Sequence, residues 1–580
     1  MNSTFQKKKI ITYATIMCAI AAFCSVIWRI SAPSVSHDEL WFAHLLYDFP
    51  MGDIYQMPRP FGISLFSYAY VGTLKSYVYM PFRDLFEYSA AFMRFPVAII
   101  ILITGFMSLL QFYRMKLTSV GLVFCSLLLA FPESNSIVKN DFGFVSFHNF
   151  VAVFSVLAIY HCIVSGRGGW AKVLMFTLCF AALYSHLKFI WTINALYASA
   201  FFCFFLRERG NSLFGSICQT IFRHRAFLLG YFFLVLCFVL QTLFFFDHPS
   251  FEAARTLGGG RTTTEFFLNK LLRFQQFWSG SLTVNDFGIK VSVLYLLASI
   301  PLIICLLTSL TYAVTLLFKQ LNYDRELTTA HLGLVFSAVM FLAVVTQLLI
   351  IRQADTRWHV QTMLVPGLLL IAFGYETLFR RWEPIEGILP ALLVVMSFLQ
   401  TSNAQLRLME PPTLQGWPLM TSQPPALDKL AVSLSQYPNS KVRVIGWGIA
   451  PMLAFDDTKK SFLWDGRPLS EEVAIDWLFQ KNVEEELVIR PTRVTQTDVD
   501  RSDTVFRNNC IRFKSVEVIQ DELGREVYDL GSVEPLWNDK YYLELNPDIE
   551  KAVDDGVLVN GFEHWSATGV FERRRFCLPD

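Results

Sequence analysis

The sequence is short of charge. Only 17% of its 580 residues are Asp, Glu, Lys or Arg, and 49 basic against 48 acidic side chains leave a net charge of +1. That excludes the basic footprint of a nucleic-acid binder, and it leaves too little polar surface to cover a water-soluble chain of this size. Zinc-type cysteine pairs are missing as well. No CxxC occurs, and nine of the 11 Cys lie before residue 306, mostly in apolar runs where a thiol behaves as a small hydrophobe. Gly446 and Gly448 flank a strand end, but no GxGxxG accompanies them, which argues against nucleotide binding.

What the chain has instead is hydrocarbon: 53% hydrophobic residues, 55 Phe, 13 Trp and a mean hydropathy of +0.41. A bilayer core of about 30 Å takes about 20 apolar residues per helix. Runs of that kind occur near 10–30, 93–112, 117–132, 147–165, 170–186, 189–206, 226–246, 291–318, 330–351, 360–378 and 384–401, which makes eleven spans. The run 61–80 is interrupted by Gly62, Gly72 and Lys75 and is rich in Ser and Tyr, so it reads as a helix lying at the interface.

Lys and Arg accumulate in short cytoplasmic loops. With eleven spans and a cytoplasmic N-terminus, the inside segments hold Lys7 to Lys9; Arg114 and Lys116; Arg167 and Lys172; Arg207, Arg209, Arg223 and Arg225; Lys319 and Arg325; Arg380 and Arg381. Counting 61–80 as a span reverses everything after it and puts most of these clusters outside. Lys7 to Lys9 ahead of an apolar run also resemble a secretory signal, but signal cores are shorter, at about 7–15 residues; an uncleaved anchor is expected. The outside face then receives the loop 31–92, a loop at 132–146, a loop at 247–290, and everything after 402.

From 402 a Pro-rich linker to 426 leads into ordinary globular sequence. Over 427–532 the pattern predicts a small α/β domain, with strands at 441–447, 485–490 and within 515–530, and an amphipathic helix at 470–480 opened by Ser470. Cys510 and Cys577 fall in this soluble region, where they either pair, if it is extracytoplasmic, or stay as buried thiols. In the last stretch, 533–580, Tyr541, Tyr542, Leu543, Asn546, Pro547, Asp548, His564, Trp565, Gly569, Glu572 and Arg574 follow a pattern that resembles a short module of bacterial cell-surface glycosyltransferases. The departures are the displaced Asn538-Asp539 and Arg573, where Gly or Asn is usual. A helical hairpin whose aromatics pack around an Asn-Pro-Asp turn is the competing reading.

In the membrane part, Asp38 and Glu39 follow the first span; Trp41, His44, Pro58-Arg59-Pro60 and the run 61–80 come next, and Arg94-Phe95-Pro96 open the second span. Asp355-Thr356-Arg357-Trp358-His359 lead through Pro366 into a late span, and Ser185-His186-Leu187-Lys188 separate two earlier ones. This ordered arrangement over residues 1–401 resembles the GT-C glycosyltransferases, in particular the relatives of protein mannosyltransferases and aminoarabinose transferases. The resemblance implies a polytopic α-helical catalytic domain that takes a sugar from a polyprenyl phosphate and transfers it, with inversion, to a glycan, lipid or protein acceptor on the exterior face. It also implies a bacterial inner-membrane location and a role in cell-envelope polysaccharide or glycoconjugate synthesis.

Chemistry gives these residue types work to do. An acceptor hydroxyl is a weak nucleophile until a positioned carboxylate takes its proton; Asp38 is the candidate base, with Glu39 in support. The leaving phosphate is an anion that fixed cations stabilise; Lys188 and Arg357 are the candidates, backed by Arg59 and His359. Such a leaving group makes a general acid and a metal dispensable, so no cofactor is expected, although Glu133 and Asp141 suit either a divalent ion or the acceptor. Each residue also has a plainer role: cations at helix ends anchor at the interface, and Asp38 suits an N-cap. His37, His44 and His359 lack the spacing of metal ligands on one helix.

Two other functions compete. A transporter or flippase of lipid-linked sugars would be expected to carry inverted repeats and midplane charges, and the spans show neither. A polysaccharide polymerase or ligase of another membrane class would not need an acidic pair after the first span.

Overall fold

The computed structural model describes residues 90–130, 169–208, 212–246, 293–322, 327–350, 361–379, 427–437, 441–445, 462–465, 486–491, 511–520, 526–535 and 538–564, with single residues or short stretches elsewhere, among them 66–68, 71–72, 155–158, 160, 270 and 277–278. The described residues divide into two compact units, one helical (66–379) and one built around a sheet (427–564).

The helical unit follows the apolar runs. Its described helices are α1 (Ala90–Arg114), α2 (Thr118–Ala130), α3 (Gly169–Ser185), α4 (Phe189–Arg207), α5 (Leu213–Arg223), α6 (Arg225–Phe244), α7 (Val293–Asn322), α8 (Thr329–Ile350) and α9 (Leu364–Gly374), which continues into a π-helical turn, Tyr375–Phe379. Among the described residues, four stretches are long and apolar enough to cross a membrane: Phe189–Arg207, Arg225–Phe244, Ile300–Gln320 and Thr329–Ile350.

These helices differ in what surrounds them. All of α9 is buried, and α4 and α8 bury most of theirs, whereas α6 buries only Phe227 and Leu234 along its length. Helices apolar on every side suit either protein or lipid as neighbours, so close packing and hydrogen bonds decide which ones form the centre. Gly333 of α8 lets Phe373 of α9 approach where a Cβ would collide with its ring. The edge contact of Phe373 with Tyr160 at 5.4 Å and the Tyr160 hydroxyl bonded to the Thr329 carbonyl at 2.7 Å complete that layer. Tyr231 of α6 donates to Asn194 Oδ1 of α4 at 3.0 Å, and the Ser119 hydroxyl of α2 donates to the Glu376 carboxylate below α9. A Gly333→Val substitution overpacks the α8–α9 contact and is expected to cost about 1–3 kcal/mol, read as a lower thermal midpoint of the purified protein in detergent.

Within 61–80 the sequence predicts an interfacial helix. The structure instead forms a small antiparallel hairpin of β1 (Phe66–Tyr68) and β2 (Val71–Gly72), with Leu74 and Tyr77 helical. Aromatic and β-branched residues at 66–71 favour the pleated form, and Gly72 weakens a helix at that point.

In the second unit, α10 (Leu427–Ser435) precedes five strands: β3 (Lys441–Ile445), β4 (Phe462–Asp465), β5 (Glu486–Pro491), β6 (Ile511–Gln520) and β7 (Glu526–Pro535). The sheet order is β4-β3-β5-β7-β6. β3 runs parallel to β4 and β5, and β7 runs antiparallel to β5 and β6. Ile489, Tyr528 and Leu530 are buried beneath it. α10 is tied to β6 by Ser433 donating to Glu517 at 2.8 Å and by Lys429 donating to the Gln520 carbonyl at 2.9 Å. The strands expected at 441–447, 485–490 and 515–530 are present, and the helix expected at 470–480 lies outside the described residues.

The tail is helical: α11 (Asp539–Leu545), α12 (Pro547–Asp554) and α13 (Gly561–His564). Asn538 caps α11 by accepting from the Tyr541 N–H at 3.0 Å, and Pro547 occupies the first turn of α12, where its missing N–H costs nothing. The residues of the module-like pattern largely hold one another. The Tyr542 hydroxyl meets His564 Nδ1 at 2.9 Å, Asn546 donates to the Tyr542 carbonyl at 2.7 Å, and Asp539 accepts from the Phe562 N–H at 3.0 Å. Tyr542→Phe deletes the Tyr542–His564 hydrogen bond and is expected to destabilise the tail by about 1 kcal/mol, measurable as faster amide exchange over 539–564.

Candidate functional site

Lys188 sits in the turn between α3 and α4, outside both spans. The chain tightens there: Phe189, Ile190 and Trp191 each donate to the carbonyl three residues back, from His186, Leu187 and Lys188, at 3.0–3.1 Å. The Lys188 N–H donates to His186 Nδ1 at 3.0 Å, which leaves the proton of a neutral imidazole on Nε2. Ser185, His186 and Lys188 are all buried. Burial pushes the Lys188 ammonium down from its ordinary value to about 7, because a low-dielectric surrounding disfavours the charged form. Lys188 stands at the N-cap of α4, where the helix dipole adds a positive potential.

Hydrogen bonds connect this turn to a second buried lysine. Lys188 accepts from the Trp191 N–H, and the Trp191 carbonyl accepts from Gln347 Nε2 of α8 at 3.1 Å. The next residue, Leu348, accepts through its carbonyl from Lys270 Nζ, and Lys270 is fully buried. The ammonium thus satisfies a carbonyl in the last turn of α8, where the helix dipole is negative. Nearby in sequence, Trp278 packs its ring against Gly367 of α9 in space that a Cβ would fill, so the segment carrying Lys270 and Trp278 is fastened to the ends of both α8 and α9. Chemically, a buried ammonium beside a helix N-terminus suits a phosphate, as general anion-site geometry has it.

Of the predicted site residues, the structure describes Lys188 and places it in this buried turn. Asp38, Glu39, Arg59, Glu133, Asp141, Arg357 and His359 lie outside the described residues, as do Cys510 and Cys577. Lys270 and Gln347 are contributions that sequence reasoning missed. The available signal for Lys270 was a lone lysine inside FFLNKLL at 266–272, where an ammonium must find a partner; Gln347 is a lone amide in an apolar span. Among the described residues no group of three or more His, Cys, Asp or Glu side chains is arranged to hold a metal ion.

No protein-family model and no curated protein matches the sequence. Solved structures do match by shape. ArnT from Cupriavidus metallidurans in the apo state superposes with a TM-score of 0.54 at 12% identity, covering 89% of this chain and 97% of that one. The same ArnT bound to undecaprenyl phosphate gives 0.52 at 12% identity, over 90% and 98%. The oligosaccharyltransferase of Archaeoglobus fulgidus, in complex with zinc and sulfate, gives 0.52 at 9% identity, over 89% of this chain and 72% of that one. The chain therefore has the GT-C membrane fold that the aminoarabinose transferase and the archaeal oligosaccharyltransferase share.

Proposed function

We propose that the protein is an inverting glycosyltransferase that takes a sugar from a polyprenyl-phosphate donor and delivers it to an acceptor on the extracytoplasmic face, in cell-envelope polysaccharide or glycoconjugate synthesis. The observation that carries this reading is Lys188: a buried ammonium at a helix N-terminus in a fold whose ArnT representative was crystallised with undecaprenyl phosphate.

In the proposed reaction the acceptor oxygen attacks the anomeric carbon as the bond from that carbon to the lipid phosphate breaks. Asp38 takes the hydroxyl proton, Glu39 supports it, and the electron pair leaves on the phosphate, which Lys188 and Arg357 hold, with Arg59 and His359 behind them. The gain comes from cations fixed in place before charge develops on the phosphate. Glu133 and Asp141 serve in this scheme to bind either the acceptor or a divalent ion.

The chain would sit in a bacterial inner membrane with its N-terminus cytoplasmic and the sheet unit extracytoplasmic. A reporter fused after residue 402 tests that orientation: periplasmic activity is expected, and a cytoplasmic signal removes the scheme, since Lys188 and the acidic loop would then face the wrong side. The anomeric configuration of the product tests inversion. A β-linked product from an α-linked lipid donor, or the reverse, is expected; retention contradicts a single direct displacement.

A further inference from the structure

The spans α4 and α6 are joined at their ends, and the segment between them makes a detour. Glu208, which ends α4, meets His224, which opens α6, at 3.0 Å, and also pairs with Arg223 at 3.3 Å. Phe204 stacks on the His224 ring at 3.8 Å between centroids. The junction is therefore fixed, and α5 leaves it and returns to it. Eleven helical residues make α5 about 16 Å long. Ser212 caps its start, accepting from the Gly215 N–H at 3.3 Å.

One side of α5 faces the protein. Ser216 and Thr220 are buried, and Ile217 packs against Phe205, Leu206 and Val335 of α4 and α8. The other side is apolar and uncovered: Phe214, Ile221 and Phe222 are 77%, 44% and 74% exposed, and with Cys218 they stand at the i, i+4, i+7, i+8 spacing of a single helix face. Three arginines edge the same junction, Arg207, Arg223 and Arg225, and of these Arg223 pairs with Glu208. Arg225 lies over the Phe222 ring at 5.4 Å, so a cation and an apolar ring present one continuous surface.

A helix held between the ends of two spans is held at the membrane boundary, and an apolar face with arginines along its edge matches one environment there. We propose that α5 lies in the plane of the membrane and forms a binding surface for anionic phospholipid headgroups, its Phe214–Ile221–Phe222 face in the acyl region and Arg207 and Arg225 on the phosphates. This surface is separate from the Lys188 turn, which lies at the opposite end of α4, and it assigns the enzyme a preference for the lipid around it rather than a second donor site.

The test uses full-length protein purified in detergent and mixed with phosphatidylglycerol or phosphatidylcholine, with retained lipid counted by native mass spectrometry. Arg207→Gln/Arg225→Gln leaves the Glu208–Arg223–His224 contacts in place. Phosphatidylglycerol is expected to be retained in preference to phosphatidylcholine, and each arginine near an anionic headgroup contributes about five-fold, so the double variant should lose about 25-fold. Equal retention of the two lipids, or a double variant that matches wild type, overturns the proposal, as does displacement of the lipid by millimolar inorganic phosphate, which would mark a phosphate site rather than a lipid surface. Phe214→Ser/Phe222→Ser provides a second readout: retention of phosphatidylglycerol should fall while the thermal midpoint holds, because those rings touch lipid and not the core. None of these readings depends on sugar transfer, so they stand or fall apart from the proposed reaction.

Discussion

Asp38→Asn is expected to lower sugar transfer by about 10²–10⁴-fold, the range that a positioned general base contributes, with the donor KM almost unchanged. The asymmetry follows from the role. Asn occupies the same volume and still accepts a hydrogen bond from the acceptor hydroxyl, but it cannot take the proton in the transition state. Binding survives, and the barrier rises. Glu39→Gln is expected to cost less, since a supporting carboxylate tunes the base without receiving the proton. If Asp38→Asn transfers sugar at the wild-type rate, the base lies elsewhere, and Glu39→Gln is the next variant to read. Single-turnover rates measured with saturating lipid donor separate the chemical step from binding.

Lys188→Met is expected to lower kcat/KM by about 10²–10³-fold, the cost of deleting one fixed stabiliser of developing charge. Unlike the Asp38 variant, it should also weaken the binding of undecaprenyl phosphate. The protonation of Lys188 gives this prediction a sign. In the unliganded protein, burial holds the ammonium at about 7; a bound phosphate favours the charged form and pulls the value back up. Well below pH 7 the lysine is already charged, and binding takes up no proton on its account. Above the free-state value the lysine loses its proton, so binding must take one up, and affinity must fall as pH rises further. Calorimetry in phosphate-free buffers of different ionisation enthalpy reads this directly. A wild-type binding enthalpy independent of buffer at pH 8, or the same buffer dependence in Lys188→Met, contradicts the assignment.

Much of the helical unit was legible because its signal is local. A run such as Thr329–Ile350 contains no charge over 22 residues, and no tertiary contact is needed to recognise it. Lys188 was legible for a related reason: a lysine between two apolar runs has few places to go. Lys270 was not, since its meaning lies in a carbonyl 78 residues away, and no periodicity records such a partner. Helix α5 was hidden by its own arginines. Read as a basic cytoplasmic loop, Arg207 to Arg225 supplied topology, and the apolar face between them went unused. The 61–80 run shows the opposite error, in which overall apolarity suggested a helix while the local preferences of Phe66, Tyr68 and Val71 favoured a hairpin. In the sheet unit, β4 escaped notice because four residues, Phe462–Asp465, are too few to establish an alternation; its pairing with β3 makes it a strand.

The most direct measurement is transfer itself. Purified wild-type protein is incubated with radiolabelled sugars on polyprenyl phosphate and with a membrane fraction as the acceptor source, and the released polyprenyl phosphate and labelled product are quantified together. The account predicts stoichiometric release of lipid phosphate and labelled product, both lowered together by about 10²–10⁴-fold in Asp38→Asn. Labelled lipid that crosses the bilayer of proteoliposomes intact, with no lipid phosphate released, would contradict it and make the protein a transporter.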